Sequence, residues 1–296
     1  MIADWLLQWR HLLGDMPTRA LGLTAWLFVV MAVLAPLERA RPLHRQRLFR
    51  ADFNLDLGYY FLGGILPAYF LVMVSGATQV GQSWLAFDAG SWVRGLPFAL
   101  QLAMVVVLGE LLYYWAHRWS HEIPWLWRFH AIHHSPRELD WLVNTRAHPL
   151  DLVFSRALGT AALVLLGLAH GAHGRELDLV AAVAIFNTAW GFFIHANTGL
   201  RLGYLEQLVT TPAFHHWHHA NDSSAVTNKN YAALLPWMDR MFGTYHMPAG
   251  RYPARYGIGE TLPGTLWAQL ALPFRRDTAV TLPGIGRTAV EVDSES

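Results

Sequence analysis

Histidine is the residue this chain has in surplus, with 16 copies among 296 residues against 22 Lys+Arg. The copies cluster as His117-Arg-Trp-Ser-His121, His130-Ala-Ile-His133-His134 and His215-His216-Trp-His218-His219. On a helix, positions i, i+3 and i+4 share a face, so each cluster can aim two or three imidazoles at one point. At this histidine content chance supplies roughly 0.05 occurrences of the HxxHH pattern, and the chain has two. The chemistry these spacings fit is metal ligation through nitrogen. With no cysteine present, thiolate zinc sites, cysteine-held iron–sulfur clusters, c-type haem attachment and disulfides are all excluded.

The expected ligands are His117, His121, His130, His133, His134, His215, His218 and His219, joined by His195 from Phe193-Ile-His-Ala-Asn197. Nine imidazoles exceed the needs of one ion and suit two ions with four or five ligands each, leaving room for oxygen or water. Imidazole accepts iron, zinc, copper or nickel, so the count does not name the metal. Helix geometry sets His216 apart. At about 100° per residue from His215, His218 falls at about −60°, His219 at about +40° and His216 at about +100°. His216 is therefore expected behind the ligands or at the surface. The scattered His11, His44, His170, His173 and His246 are expected to be surface or structural residues.

Glu110 lies seven residues, two helical turns, before His117 and faces the same way from within an apolar run. A carboxylate at membrane depth is a functional candidate, here to orient a ligand histidine or offset metal charge. His121-Glu122 begins like the zinc-protease motif, but Trp125 stands where the second histidine belongs and Pro124 interrupts the helix.

These clusters need elements to carry them. Hydrophobic residues make up 53% of the chain and charged residues only 15%, well under the roughly 25% of a soluble domain. Five stretches approach the ~20 apolar residues that cross a bilayer as helix, near 21–37, 57–76, 98–116, 152–169 and 179–196. The second, with Gly63, Gly64 and Pro67, is expected to kink or re-enter. The predicted fold is all-α: a multi-pass transmembrane bundle of about four to five spans with a cytoplasmic histidine-rich helical cap. Residues 1–95 are expected to hold the N-terminal spans and a basic loop, 96–250 the catalytic region, and 251–296 an interfacial segment and a disordered tail ending at Ser296.

The first box should continue the third span and stop near Pro124, the second should end at Ser135-Pro136, and the third should start at Thr211-Pro212. Arg39, Arg41, Arg45, Arg47 and Arg50 mark the loop after the first span as cytoplasmic, and alternation puts every box on that side. Asp4 and Asp15 stand where a signal peptide would be basic. The single lysine, Lys229, among 22 basic residues fits a GC-rich bacterial genome and hence an inner membrane. A net charge of +1 gives no attraction to nucleic acid.

The run Glu110-Leu-Leu-Tyr-Tyr-Trp-Ala-His117-Arg-Trp-Ser-His121, the second box in Trp127-Arg-Phe-His130, Arg146-Ala-His148-Pro149, and Asn228-Lys-Asn-Tyr231 with Asp239 and Gly243 resemble the fatty acid hydroxylase/sterol desaturase superfamily. The resemblance covers about Phe98 to His246. It departs in Glu110, where aspartate is common, and in alanine rather than glycine after Tyr231. It implies a non-haem di-iron centre, with zinc a possible substitute, that uses O2 on lipid C–H bonds. A glutamate after the first box, here Glu122, is similar to the alkylglycerol monooxygenase branch, which implies a catalytic role for Glu122 and a pterin reductant. His148 and Asn197 join His216 as residues expected behind the ligands.

The expected activity is hydroxylation or desaturation of a membrane lipid: a sterol, fatty acyl chain, ether lipid or carotenoid. No dinucleotide fingerprint is present, so electrons are expected from a separate carrier or small reductant. Lipid is expected to reach the centre between the third and fifth spans, past Tyr113, Tyr114 and Trp115. The rival readings are a histidine-rich metal transporter, whose ligands belong near the bilayer midplane, and a membrane protein with a closed structural metal cluster.

Overall fold

The computed structural model describes residues 16–85, 90–168 and 175–275. Every named element among them is helical. Besides three short 3₁₀ turns (Trp141–Thr145, Gly203–Gln207 and Leu272–Phe274), these are, in chain order, α1 (Met16–Ala40), α2 (Phe53–Leu85), α3 (Gly90–Arg94), α4 (Phe98–Glu122), α5 (Pro124–His134), α6 (Pro149–Leu165), α7 (Arg175–His195), α8 (Pro212–His218), α9 (Trp237–Met241) and α10 (Leu266–Ala271). Among the described residues the only bridges are isolated, Pro42 with Thr198 and Ala220 with Tyr256.

Among the described residues three helices are long and apolar enough to cross a membrane: Met16–Ala40, Phe53–Trp84 and Phe98–Glu122. The last two expected spans appear as α6, with 17 residues, and the shorter apolar stretch Ala182–His195 of α7. The second expected span, α2, is one continuous helix and does not re-enter. The helix runs through Gly63, Gly64 and Pro67, and the glycines serve packing instead. A Cβ on Gly64 would come within 2.7 Å of the Leu23 side chain, and one on Gly63 within 3.1 Å of Leu152. Small residues thus let α1 and α6 close on α2, as helices must where lipid offers no hydrophobic drive.

The side that carries the boxes is closed by buried polar groups. Glu38, at the end of α1, accepts from the amides of Trp141 (2.9 Å) and Asn197 (2.8 Å). Asn197 in turn pins the arginine-rich loop, since its Oδ1 accepts from His44 N at 2.9 Å and its Nδ2 donates to His44 O at 2.7 Å. That loop therefore lies on the same side as His195, the last residue of α7. Arg50 and Arg146 share the fully buried Asp56, while Asp140 accepts from Arg50 at 2.7 and 3.0 Å and Asp52 from Arg146 at 3.0 Å. Buried charges persist only when paired and hydrogen-bonded in this way. The expected tail through Ser296 and residues His11, His170 and His173 lie outside the described residues.

Candidate metal centre

Each box sits on a helix bounded as its residues dictate. α4 ends at Glu122, and Pro124 opens α5 at a position where a missing N–H costs nothing. Thr211 caps α8 by accepting from Phe214 N at 3.4 Å, with Pro212 next, and His219 is the C-cap residue. Four helix ends thus converge.

The nine histidines gather into two groups. His117, His121, His130, His134 and His218 form one, and His133, His195, His215 and His219 the other; within each, one ligand atom per residue lies within 4.8 Å of all the others. A single rule sorts them. The i,i+4 pairs 117/121, 130/134 and 215/219 each stay within one group, while the remaining histidine of each HxxHH, His133 or His218, crosses to the other. Each HxxHH therefore reaches both groups.

The rings are held from behind. Nδ1 of His117 donates to Tyr231 O (2.7 Å), of His218 to Lys229 O (2.8 Å), of His133 to Arg146 O (3.1 Å) and of His195 to Gly191 O (2.7 Å). His130 Nδ1 faces the Asp151 carboxylate at 2.9 Å. Carbonyls and carboxylates only accept, so the proton is fixed on Nδ1 and the Nε2 lone pair turns inward. Nε2 of His117, His130, His134 and His218 and both ring nitrogens of His121 are buried without a hydrogen-bond partner. That is the reverse of what a protein interior tolerates unless a cation belongs there.

The second group is tighter. Nε2–Nε2 separations are 2.9 Å for His215–His195, 3.2 Å for His219–His195 and His219–His215, and 3.3 Å for His133–His195. His133 and His195 carry their protons on Nδ1, so two acceptors face each other and no hydrogen bond joins them. Nitrogens about 2.0–2.1 Å from one ion in tetrahedral or octahedral array stand roughly 2.9–3.4 Å apart, which these spacings match. Burial, and after it the neighbouring imidazoles, hold His133, His134, His215 and His219 well below the ordinary histidine value. Neutral imidazole is the ligating form.

The segment Asn228-Lys-Asn-Tyr231 delivers backbone carbonyls to the ligand rings. Asn228 and Asn230 adopt φ of 58° and 60°, a left-handed conformation that asparagine tolerates better than most residues. Together they turn Lys229 O toward His218. Asp239 accepts from the amides of Tyr231 (2.8 Å) and Ala232 (2.9 Å) and from Thr244 Oγ1 (2.6 Å), fixing the segment whose carbonyl holds His117.

The remaining expected residues have the following partners. Glu110 is buried, but its Oε1 accepts from the backbone amides of Leu234 (2.6 Å) and Leu235 (3.1 Å), not from a histidine. Glu122 is largely exposed, pairs with Arg118 at 2.8 Å, and joins neither group. His148 caps α6 by accepting from Leu150 N at 3.1 Å and donates to Leu270 O at 3.2 Å, so it backs no ligand. Asn197 is spent on His44 and Glu38. Tyr114 is fully buried with its hydroxyl on Thr244, so it lines no lipid path, whereas the Tyr113 ring lies 5.4 Å from that of His117. His216 is buried outside both groups, with Nδ1 2.8 Å from Tyr256 Oη and Nε2 3.1 Å from Ala196 O; burial pushes it down to about 3. Asp151, the one carboxylate on a grouped histidine among the described residues, is not among the residues expected from the sequence. Its position in the first turn after His148-Pro149 was the available signal.

The sequence profile of the fatty acid hydroxylase family matches residues 102–244, which hold all nine grouped histidines and the carbonyls of Lys229 and Tyr231. An ornithine lipid hydroxylase of Rhizobium tropici is 35% identical over 254 residues, 83% of this chain and 73% of that protein. The chain belongs to the fatty acid hydroxylase family. It is thus an oxidoreductase and an integral membrane protein. Alkylglycerol monooxygenases of Danio rerio and Homo sapiens are 36% and 31% identical, but over only 46% and 45% of this chain and 28% of their own length. No solved structure matches. Family membership removes both the transporter and the structural-cluster readings.

Proposed function

We propose that this member of the fatty acid hydroxylase family hydroxylates a polar membrane lipid at a di-iron centre facing the cytoplasm of a bacterial inner membrane. The observation that carries the reading is the pair of imidazole groups, with buried Nε2 atoms left unpartnered in the first and crowded to 2.9–3.3 Å of one another in the second. Iron bound there would supply the oxygen and one-electron chemistry that no side chain offers. His117, His121, His130, His134 and His218 would hold one ion and His133, His195, His215 and His219 the other.

The chain's own part is positional. Tyr231, Lys229, Arg146 and Gly191 carbonyls and the Asp151 carboxylate fix the rings, and burial excludes water from the centre. Asp151 supplies negative charge behind an otherwise neutral ligand set. The cytoplasmic placement rests on the arginines between Arg39 and Arg50, whose loop is hydrogen-bonded to the end of α7. Electrons come from a separate carrier or small reductant. Ornithine lipid is the first substrate to test, because the R. tropici relative aligns over most of both chains.

Incubating the reconstituted protein with reductant, 18O2 and ornithine lipid should give a lipid heavier by one 18O atom. A product lacking two hydrogens and carrying no label would make the enzyme a desaturase. An unchanged lipid across ornithine, sterol and ether-lipid substrates, with iron present, would overturn the reading.

A further inference from the structure

Two irregular segments that sequence topology assigns to the cytoplasmic cap are tied to the spans well inside the histidine level. The first is the 3₁₀ turn Gly203–Gln207 with the residues up to Thr210; the second runs from Ala233 through α9. They are stitched together, since Thr210 N donates to Leu234 O (2.8 Å), Thr210 Oγ1 to Ala233 O (2.5 Å), and Arg240 Nη1 to Gln207 O (3.2 Å).

Their anchors set the depth. Glu110 takes the amides of Leu234 and Leu235, and it lies seven residues, about 10 Å of helix, before His117. It also lies about 13 Å before Trp119, whose exposed ring, with exposed Trp125 beyond, marks the interfacial level of this face. On α7, Trp190 Nε1 donates to Thr210 Oγ1 at 3.0 Å, five residues or about 7 Å before His195. Two separate helices therefore place the same stitched unit on the membrane side of the centre.

Its outer surface suits that place. Tyr204 is 94% exposed, Leu208 62% and Met241 58%, with Leu205 and Trp237 beside them, and Phe186 continues the surface up α7, stacked on Trp190. The unit's charges are engaged: Glu206 takes a two-pronged contact from Arg201, and Arg240 reaches Gln207 and lies 4.2 Å from the Tyr245 ring centroid. Backbone at membrane depth must find partners within the protein. The carboxylate beneath the amides of Leu234 and Leu235 meets that demand where no water is at hand. The polar Asn221–Asn228 loop contrasts with it, carrying Asp222, Ser223, Ser224 and Thr227.

We infer that residues 203–210 and 233–242 form a wedge sunk into the leaflet, with Leu205, Leu208, Trp237 and Met241 facing acyl chains. The cap is then partly embedded in the bilayer beside α4 and α7, and does not simply sit above it. The occupant of this surface is bilayer lipid.

The chain has no cysteine, so single spin labels need no background removal. Labels at Tyr204→Cys, Leu208→Cys and Met241→Cys should collide with a water-soluble nickel chelate about tenfold less often than a label at Ser224→Cys, and more often with oxygen, because a polar complex is excluded from hydrocarbon. In the unsubstituted protein, a diazirine probe partitioned into vesicles should label peptides covering 203–210 and 236–242 and spare 221–228. Nickel collisions at 208 and 241 equal to those at 224, or lipid-probe labelling confined to the long helices, would overturn the wedge. Neither readout depends on turnover or metal, so either result stands apart from the proposed reaction.

Discussion

The five-imidazole and four-imidazole groups share α5 and α8 yet are held differently. The first takes two histidines from α4, two from α5 and one from α8, and a carboxylate, Asp151, backs one of them. The second takes one from α5, one from α7, one from α8 and the cap residue His219, and backbone carbonyls back His133 and His195. The first site is therefore richer in ligands and in nearby negative charge. The second has fewer ligands and its nitrogens are already drawn close. In the proposed centre the four-ligand ion has the more open coordination and is the more easily removed.

The largest effects should come from splitting the third box. His215→Ala strikes the four-imidazole group and His218→Ala the five, so each should abolish turnover while removing a different ion. His216→Ala should keep both ions and most of the activity, since both its ring nitrogens are engaged with Tyr256 and Ala196. Metal analysis beside turnover checks this; loss of metal in His216→Ala equal to that in the other two would merge the groups.

An intermediate effect is expected at Asp151, a positioning residue. Asp151→Asn should weaken metal affinity about 10–100-fold, as removing an outer partner of a ligating histidine commonly does. The loss should fall on the five-imidazole site alone, read as one weakened step in a chelator titration. Asp151→Glu should recover part of it.

How much of this was legible beforehand follows from what each feature depends on. The convergence of the boxes could be read from i,i+3,i+4 spacing, and the helix limits at Pro124 and Pro212 from proline chemistry, because both are local. The displacement of His216 followed from the same angle per residue. The division of each HxxHH between two groups was not legible, because all its members share one face and the sorting is done by α4 and α7. The partners of Glu110 were not legible for a similar reason: Leu234 and Leu235 lie more than a hundred residues away. The carbonyls of Lys229 and Tyr231 carry no side-chain signature at all. Only the asparagines that turn the chain there, Asn228 and Asn230, hinted at them.

Glu110 supplies the smaller effect, on stability. Glu110→Leu strands two buried amides at about 1–3 kcal/mol each, so Tm in detergent should fall. Glu110→Gln keeps an accepting oxygen and should fall less. Equal losses would show that the carboxylate charge, and not the accepted hydrogen bonds, is what matters there.

The most direct test of the account is iron counted per chain in protein purified under reducing conditions, beside two double variants. The unsubstituted chain should carry about two ions, as a two-metal site requires. His117→Ala with His134→Ala should leave one ion, and His195→Ala with His219→Ala should leave the other, distinguishable by its spectroscopic signature. A single ion in the unsubstituted protein, or the same residual ion in both variants, would contradict two interlocked sites.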